Sequence, residues 1–85
     1  MTAVAEPGTT DSELPRLRAD IDGLDAELLA VVRRRIALER RIGQLRVGTG
    51  APRVTHAHDM SVIRRYAAEL GEDGTALALV LLRLR

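Results

Sequence analysis

The sequence predicts an all-α protein, and three observations carry that prediction. Helix formers dominate the 85 residues, with alanine, leucine, arginine and glutamate frequent and Tyr66 the sole aromatic. No run alternates β-branched or aromatic residues with polar ones between turn signals, so strands find no support. Most telling is a spacing: Leu17, Ile21, Leu24, Leu28, Val31, Arg35, Leu38, Ile42 and Leu45 recur at alternating steps of four and three. That is the apolar seam of a helix that packs lengthwise against partners.

Taken in order, residues 1–11 are small and polar, include Pro7 and Gly8, and read as a disordered tail ahead of one helical domain, 12–85. Ser12 is a suitable N-cap, Glu13 suits the helix dipole and Pro15 is tolerable in a first turn, so a helix is expected over 13–47, stopped by Gly48 and Gly50. Such a helix would be about 50 Å long. A globule of 85 residues has a radius of gyration of only about 12 Å, so the remaining residues could not cover both ends of that rod. An intertwined homodimer is therefore expected. Gly43 sits inside the helix at a cost of roughly 1 kcal/mol against alanine, which suggests close approach of a backbone or a ligand. Residues 49–54 read as a loop, and Thr55 as the cap of a second helix, 56–70, with Met60, Ile63, Ala67 and Leu70 as its buried stripe. Gly71 ends it. Asp73 or Thr75 then caps a third helix, 76–85, apolar nearly all round and expected to be buried in the dimer.

Composition narrows the function. No cysteine is present, which removes disulfides and thiolate metal sites, and the net charge of +1 is built from arginine with no lysine at all. Residues 1–10 lack the basic and apolar regions of a signal peptide, and no apolar run approaches the ~20 residues of a membrane span, leaving a cytoplasmic protein as the expectation. His56 and His58 have no further ligand at metal spacing. Neither a nucleophile turn nor a glycine-rich phosphate loop is present. Arg33, Arg34, Arg35, Arg40 and Arg41 interleave with acids, which argues against a nucleic-acid face.

Arginines within the seam carry the remaining signal. A guanidinium is always charged and is rarely buried without an anion, so Arg35 among leucines and isoleucines needs a partner. Glu39, one turn on, is one answer and an anionic ligand is the other. Arg46 follows Arg35 by eleven residues, which returns it to the same face within roughly 20° and places it about 16 Å along the axis. Arg18 precedes Arg35 by seventeen residues, about 25 Å away and on another face. To serve the same anion, Arg18 must come from the second chain of an antiparallel pair.

The run Leu17-Arg18-Ala19-Asp20-Ile21-Asp22-Gly23-Leu24-Asp25-Ala26-Glu27-Leu28-Leu29, followed by Val32-Arg33-Arg34-Arg35, Ile42-Gly43, Arg46, Arg53-Val54-Thr55-His56 and Asp59-Met60, resembles the AroQ-type helical chorismate mutases. The similarity is closest to their short, three-helix delta subclass and covers about residues 14–84. It implies a dimer with two sites, each built from both chains, and the [3,3] rearrangement of chorismate to prephenate on the shikimate route to phenylalanine and tyrosine. No cofactor is implied.

By position, the resemblance assigns the two carboxylates of chorismate to Arg18 of one chain and Arg35 of the other. Arg46 becomes the catalytic donor to the ether oxygen, Thr55 and Asp59 line the ring hydroxyl side, and Val62 and Leu82 form apolar walls. His58 stands where the family usually carries an arginine, and histidine is not a permanent cation. That departure keeps isochorismate-pyruvate lyase and aminodeoxychorismate mutase as alternative enzymes on the same scaffold. A non-catalytic helical dimerisation module is the alternative of a different class. DAHP synthase is the partner implied for the subclass, through a glycine- and arginine-containing tail that the sequence, reading to Arg85, does not show.

Overall fold

The computed structural model describes residues 5–50 and 56–85, with side chains from residue 12 onward. Three helices follow one another: α1 (Ala5–Thr49), α2 (His56–Leu70) and α3 (Glu72–Arg83), and no strand occurs among the described residues. The chain divides into two compact units, Met1–Val31 and Val32–Arg85. The first contributes the amino-terminal stretch of α1. Within the second, the rest of α1 is followed by α2 and α3, and the core lies there.

α1 begins eight residues before the expected start at Glu13, so Ser12 is not its cap and part of the segment read as a tail is helical. Pro15 consequently lies inside the helix, where the missing N–H removes one rung at a cost of about 3 kcal/mol. The apolar seam is periodic as read, yet within each unit it is uncovered: Leu17, Ile21, Leu24, Leu28 and Val31 in the first, and Leu38, Ile42 and Leu45 in the second, are 43–65% exposed.

Packing is concentrated between α2 and α3, which run antiparallel. α2 has the expected bounds, but its buried side differs from the expected stripe. Val62 is its one fully buried residue, Ile63 and Tyr66 pack partly against the same core, Met60 and Ala67 are half-buried, and Leu70 is exposed. At 100° per residue the Val62–Tyr66 side lies about a quarter turn from the predicted one. Val62 meets Ala78 and Leu82 of α3, and burying one such valine is worth about 1.5–3 kcal/mol.

α3 begins at Glu72 rather than at Ala76 and ends at Arg83. Gly71 alone makes the connection. Its φ of 69° is open to glycine and strained for other residues, its N–H donates to the Ala67 carbonyl at 2.8 Å, and its carbonyl accepts the Thr75 N–H at 3.2 Å. The expected side-chain cap from Asp73 or Thr75 is not formed; Glu72 and Asp73 instead place negative charge in the first turn. Gly74, just inside α3, is where the two backbones meet, for a Cβ there would fall 2.0 Å from the Tyr66 carbonyl oxygen. Leu77, Leu79 and Val80 remain exposed on α3, and so does Leu84 just past its end, so the chain by itself does not bury this helix all round.

Candidate active site

Between Arg35 and Thr49, α1 presents an inverted pattern: its leucines and isoleucine on the seam are exposed, while Arg35, Glu39, Gly43 and Arg46, at steps of four, four and three, are half-buried together with Ile36. A mostly charged stripe is thus the inward side of this part of the helix. Arg35 Nη1 donates to the Leu81 carbonyl at 3.3 Å and lies 3.7 Å from Glu39 Oε2. Of the two answers open for Arg35, Glu39 is the one this chain supplies. Both contacts are long, and a guanidinium has five N–H donors, so capacity for an added anion remains. The Arg46 carbonyl accepts the Thr49 hydroxyl at 3.0 Å in the last turn.

Beside the stripe opens a cleft of about 740 Å³, bounded on α1 by Glu39, Arg40, Gly43, Gln44 and Val47 and at the end of α3 by Leu82, Arg83 and Arg85. Its volume suits a small organic ligand. A Cβ at Gly43 would meet nothing within 4 Å, so packing within this chain does not demand the glycine. Its effect is to keep one wall of the cleft at backbone level.

Of the remaining residues assigned by resemblance, Leu82 is buried and borders the cleft. Val62 belongs to the α2–α3 core rather than to the cleft wall. Asp59 is half-buried in the first turn of α2, its Oδ2 accepting Arg85 Nη2 at 3.0 Å. His58 is exposed, its carbonyl accepting the Ser61 hydroxyl at 2.8 Å. Arg18 is exposed on α1 in the first unit, and Thr55 lies outside the described residues. Glu39, Gly43, Leu82 and Arg85 thus border the cleft, while Arg35 and Arg46 share the half-buried side of α1 with Glu39 and Gly43 and do not line it. Reading the sequence overlooked Arg85, although an arginine closing an apolar helix is a common partner for terminal carbonyls.

Chemically the cleft offers cations, a carboxylate and apolar surface. Among the described residues no cluster of three or more His, Asp or Glu is placed to hold a metal, and no helix is long and apolar enough to cross a membrane.

No family model matches the chain. Proteins named intracellular chorismate mutase from Mycobacterium tuberculosis and Mycobacterium bovis are 50% identical to it over 72 residues, covering 85% of this chain and 68% of theirs. The chain belongs to the chorismate mutase family. A Mycolicibacterium smegmatis protein of the same name is 42% identical over 80 residues, 92% of this chain and 77% of the relative. The Streptomyces venezuelae relative, 43% identical over 74 residues (81% of this chain, 70% of that one), is named 4-amino-4-deoxychorismate mutase. Among solved structures, a chain of 37% identity superposes with a TM-score of 0.84, covering 89% of this chain and 92% of that one. It comes from a non-covalent complex of DAHP synthase and chorismate mutase from Corynebacterium glutamicum with bound transition state analogue. The three-helix chorismate mutase fold accords with the AroQ type.

Proposed function

We propose that this chain rearranges chorismate to prephenate in a homodimer, each of whose two sites draws on both chains. The observation that carries the reading is the half-buried stripe of Arg35, Glu39, Gly43 and Arg46 beside a small-molecule cleft. A unimolecular pericyclic step needs neither acid, base nor nucleophile. It needs a compact conformer and a cation placed where charge develops. As the C–O bond breaks ahead of C–C bond formation, negative charge grows on the ether oxygen, and Arg46 donates to it. Arg35 takes one carboxylate and Arg18 of the second chain the other, while Asp59, with Thr55, accepts the ring hydroxyl.

The uncovered seam of α1 supports the dimer, because a row of half-exposed leucines and isoleucines is buried most economically against its own copy. As an intramolecular isomerase the chain would serve aromatic amino acid biosynthesis in the cytoplasm, as the relatives named intracellular suggest. DAHP synthase is the proposed partner, supported by its presence in the complex that holds the similar chain. The Streptomyces venezuelae relative, and a histidine rather than a permanent cation at position 58, support a second reading, a mutase of the 4-amino analogue.

Incubating the protein with chorismate and following the loss of its ultraviolet absorbance, with prephenate identified as product, tests the first reading. Turnover of 4-amino-4-deoxychorismate alone favours the second. Inertness toward chorismate, isochorismate and the amino analogue, in a protein that sediments as a dimer, leaves a dimerisation module.

A further inference from the structure

α2 and α3 run antiparallel from Gly71, so the carboxyl end of α3 returns to the amino end of α2, and Arg85 acts at that junction. At Leu84 the backbone leaves the helix (φ −87°, ψ 67°), with its N–H shared between the Val80 and Leu81 carbonyls. Beyond it the Arg85 side chain reaches back over the helix end: Nε donates to the Leu82 carbonyl and Nη2 donates to Asp59 Oδ2 at 3.0 Å. Both partners are largely withdrawn from water, the Arg85 side chain 22% exposed and that of Asp59 21%. A charge-assisted bond of this kind fixes one carboxylate oxygen and removes most of the torsional freedom of Asp59. It also balances its charge.

Arg85 borders the cleft with Leu82, and His58, which precedes Asp59 in α2, offers no permanent cation. We propose that Arg85 is a positioning and specificity-determining residue: by holding Oδ2 of Asp59 it leaves the other oxygen to accept the ring hydroxyl of chorismate. By cancelling the charge of Asp59 it also disfavours a 4-amino group, which is an ammonium at neutral pH. This rests on the mutase reading and on Asp59 facing the ring substituent. A neutral hydroxyl needs only an acceptor, whereas an ammonium gains most from an uncompensated carboxylate.

The test measures kcat/KM on chorismate and on 4-amino-4-deoxychorismate for wild type, Arg85→Gln, Arg85→Lys, Asp59→Asn and the Arg85→Gln/Asp59→Asn double variant, with melting temperatures alongside. Arg85→Gln should lower kcat/KM for chorismate roughly tenfold and move the preference toward the amino analogue by about tenfold, the scale of one charge pair in a partly solvated site. Arg85→Lys, which keeps the charge, should keep the preference. Asp59→Asn should move the preference the other way, because the guanidinium is then uncompensated, and in that background Arg85→Gln should no longer increase the loss on chorismate. Equal losses on both substrates, or a chorismate loss that persists undiminished without the Asp59 carboxylate, overturn the proposal. Should Arg85→Gln fail to fold, an unchanged preference in Asp59→Asn overturns it by itself. A wild type inert toward both substrates overturns the mutase reading, and this inference with it.

Discussion

Replacing Gly74 by alanine tests how α2 and α3 are held together. On the present backbone the added Cβ would lie 2.0 Å from the Tyr66 carbonyl oxygen, 2.7 Å from its carbon and 2.9 Å from Leu70 Cβ. A carbon-to-carbonyl contact normally settles at about 3.3–3.6 Å, so α3 must withdraw by roughly 1.3 Å at this point. Two of the three atoms are main chain and cannot rotate aside. That withdrawal loosens the adjoining core of Val62, Ala78 and Leu82. Overpacking costs typically about 1–3 kcal/mol, and the severity of this clash puts Gly74→Ala at the upper end, against about 1 kcal/mol recovered from alanine's better helix propensity. The net expectation is about 2 kcal/mol of destabilisation, or roughly 8–16 °C in Tm for a domain of this size. Thermal unfolding followed by far-ultraviolet circular dichroism, at matched chain concentration, measures it. A variant that melts within a degree or two of wild type, or above it, would refute the close-contact reasoning.

Three further predictions concern the site. Arg46→Ala should lower kcat by about 10²–10³ with little change in Tm, because it removes a donor to charge that exists only in the transition state; a matching fall in Tm would mark Arg46 as structural. His58→Arg should raise kcat/KM for chorismate by supplying a permanent cation at the start of α2, and a decrease would show that histidine is suited to another substrate. Arg18→Ala and Arg35→Ala should each be nearly inactive, yet co-refolded in equal amounts they should form hybrid dimers as about half of the population, each with one site free of both lesions. About a quarter of wild-type activity would return; a flat result would sink the shared-site reading.

What the sequence disclosed, and what it hid, follows from the range of the interactions. The α1 seam and the Arg35–Glu39 pair are legible because both arise from spacing along one helix. α2 is legible at its two ends, since Gly71 closes it in the left-handed conformation. The start of α3 expected from Asp73 or Thr75 as a side-chain cap differs from the observed one at Glu72, because Gly71 makes the connection and Gly74, inside the helix, admits the Tyr66 backbone. That reason exists only once α2 lies alongside. The same lateral packing turns the buried side of α2 toward Val62 and Tyr66 and leaves Leu70 exposed. Arg85 and Asp59 stand 26 positions apart, and nothing local to either foretells their meeting.

The resting contacts of Arg35 bear on which solutes the site admits. Glu39 and the Leu81 carbonyl both face Nη1 of Arg35, at 3.7 and 3.3 Å, so an arriving anion finds further N–H donors but meets a cation whose charge is already partly balanced. Chloride or a lone monocarboxylate, bringing one charge to a cation that already has one opposite it, gains little there. A rigid dianion that spans two guanidiniums gains the second contact outright. Under the mutase reading, the carboxylate of Glu39 would weaken the hold of Arg35 on small single anions more than on a ligand that engages two guanidiniums at once.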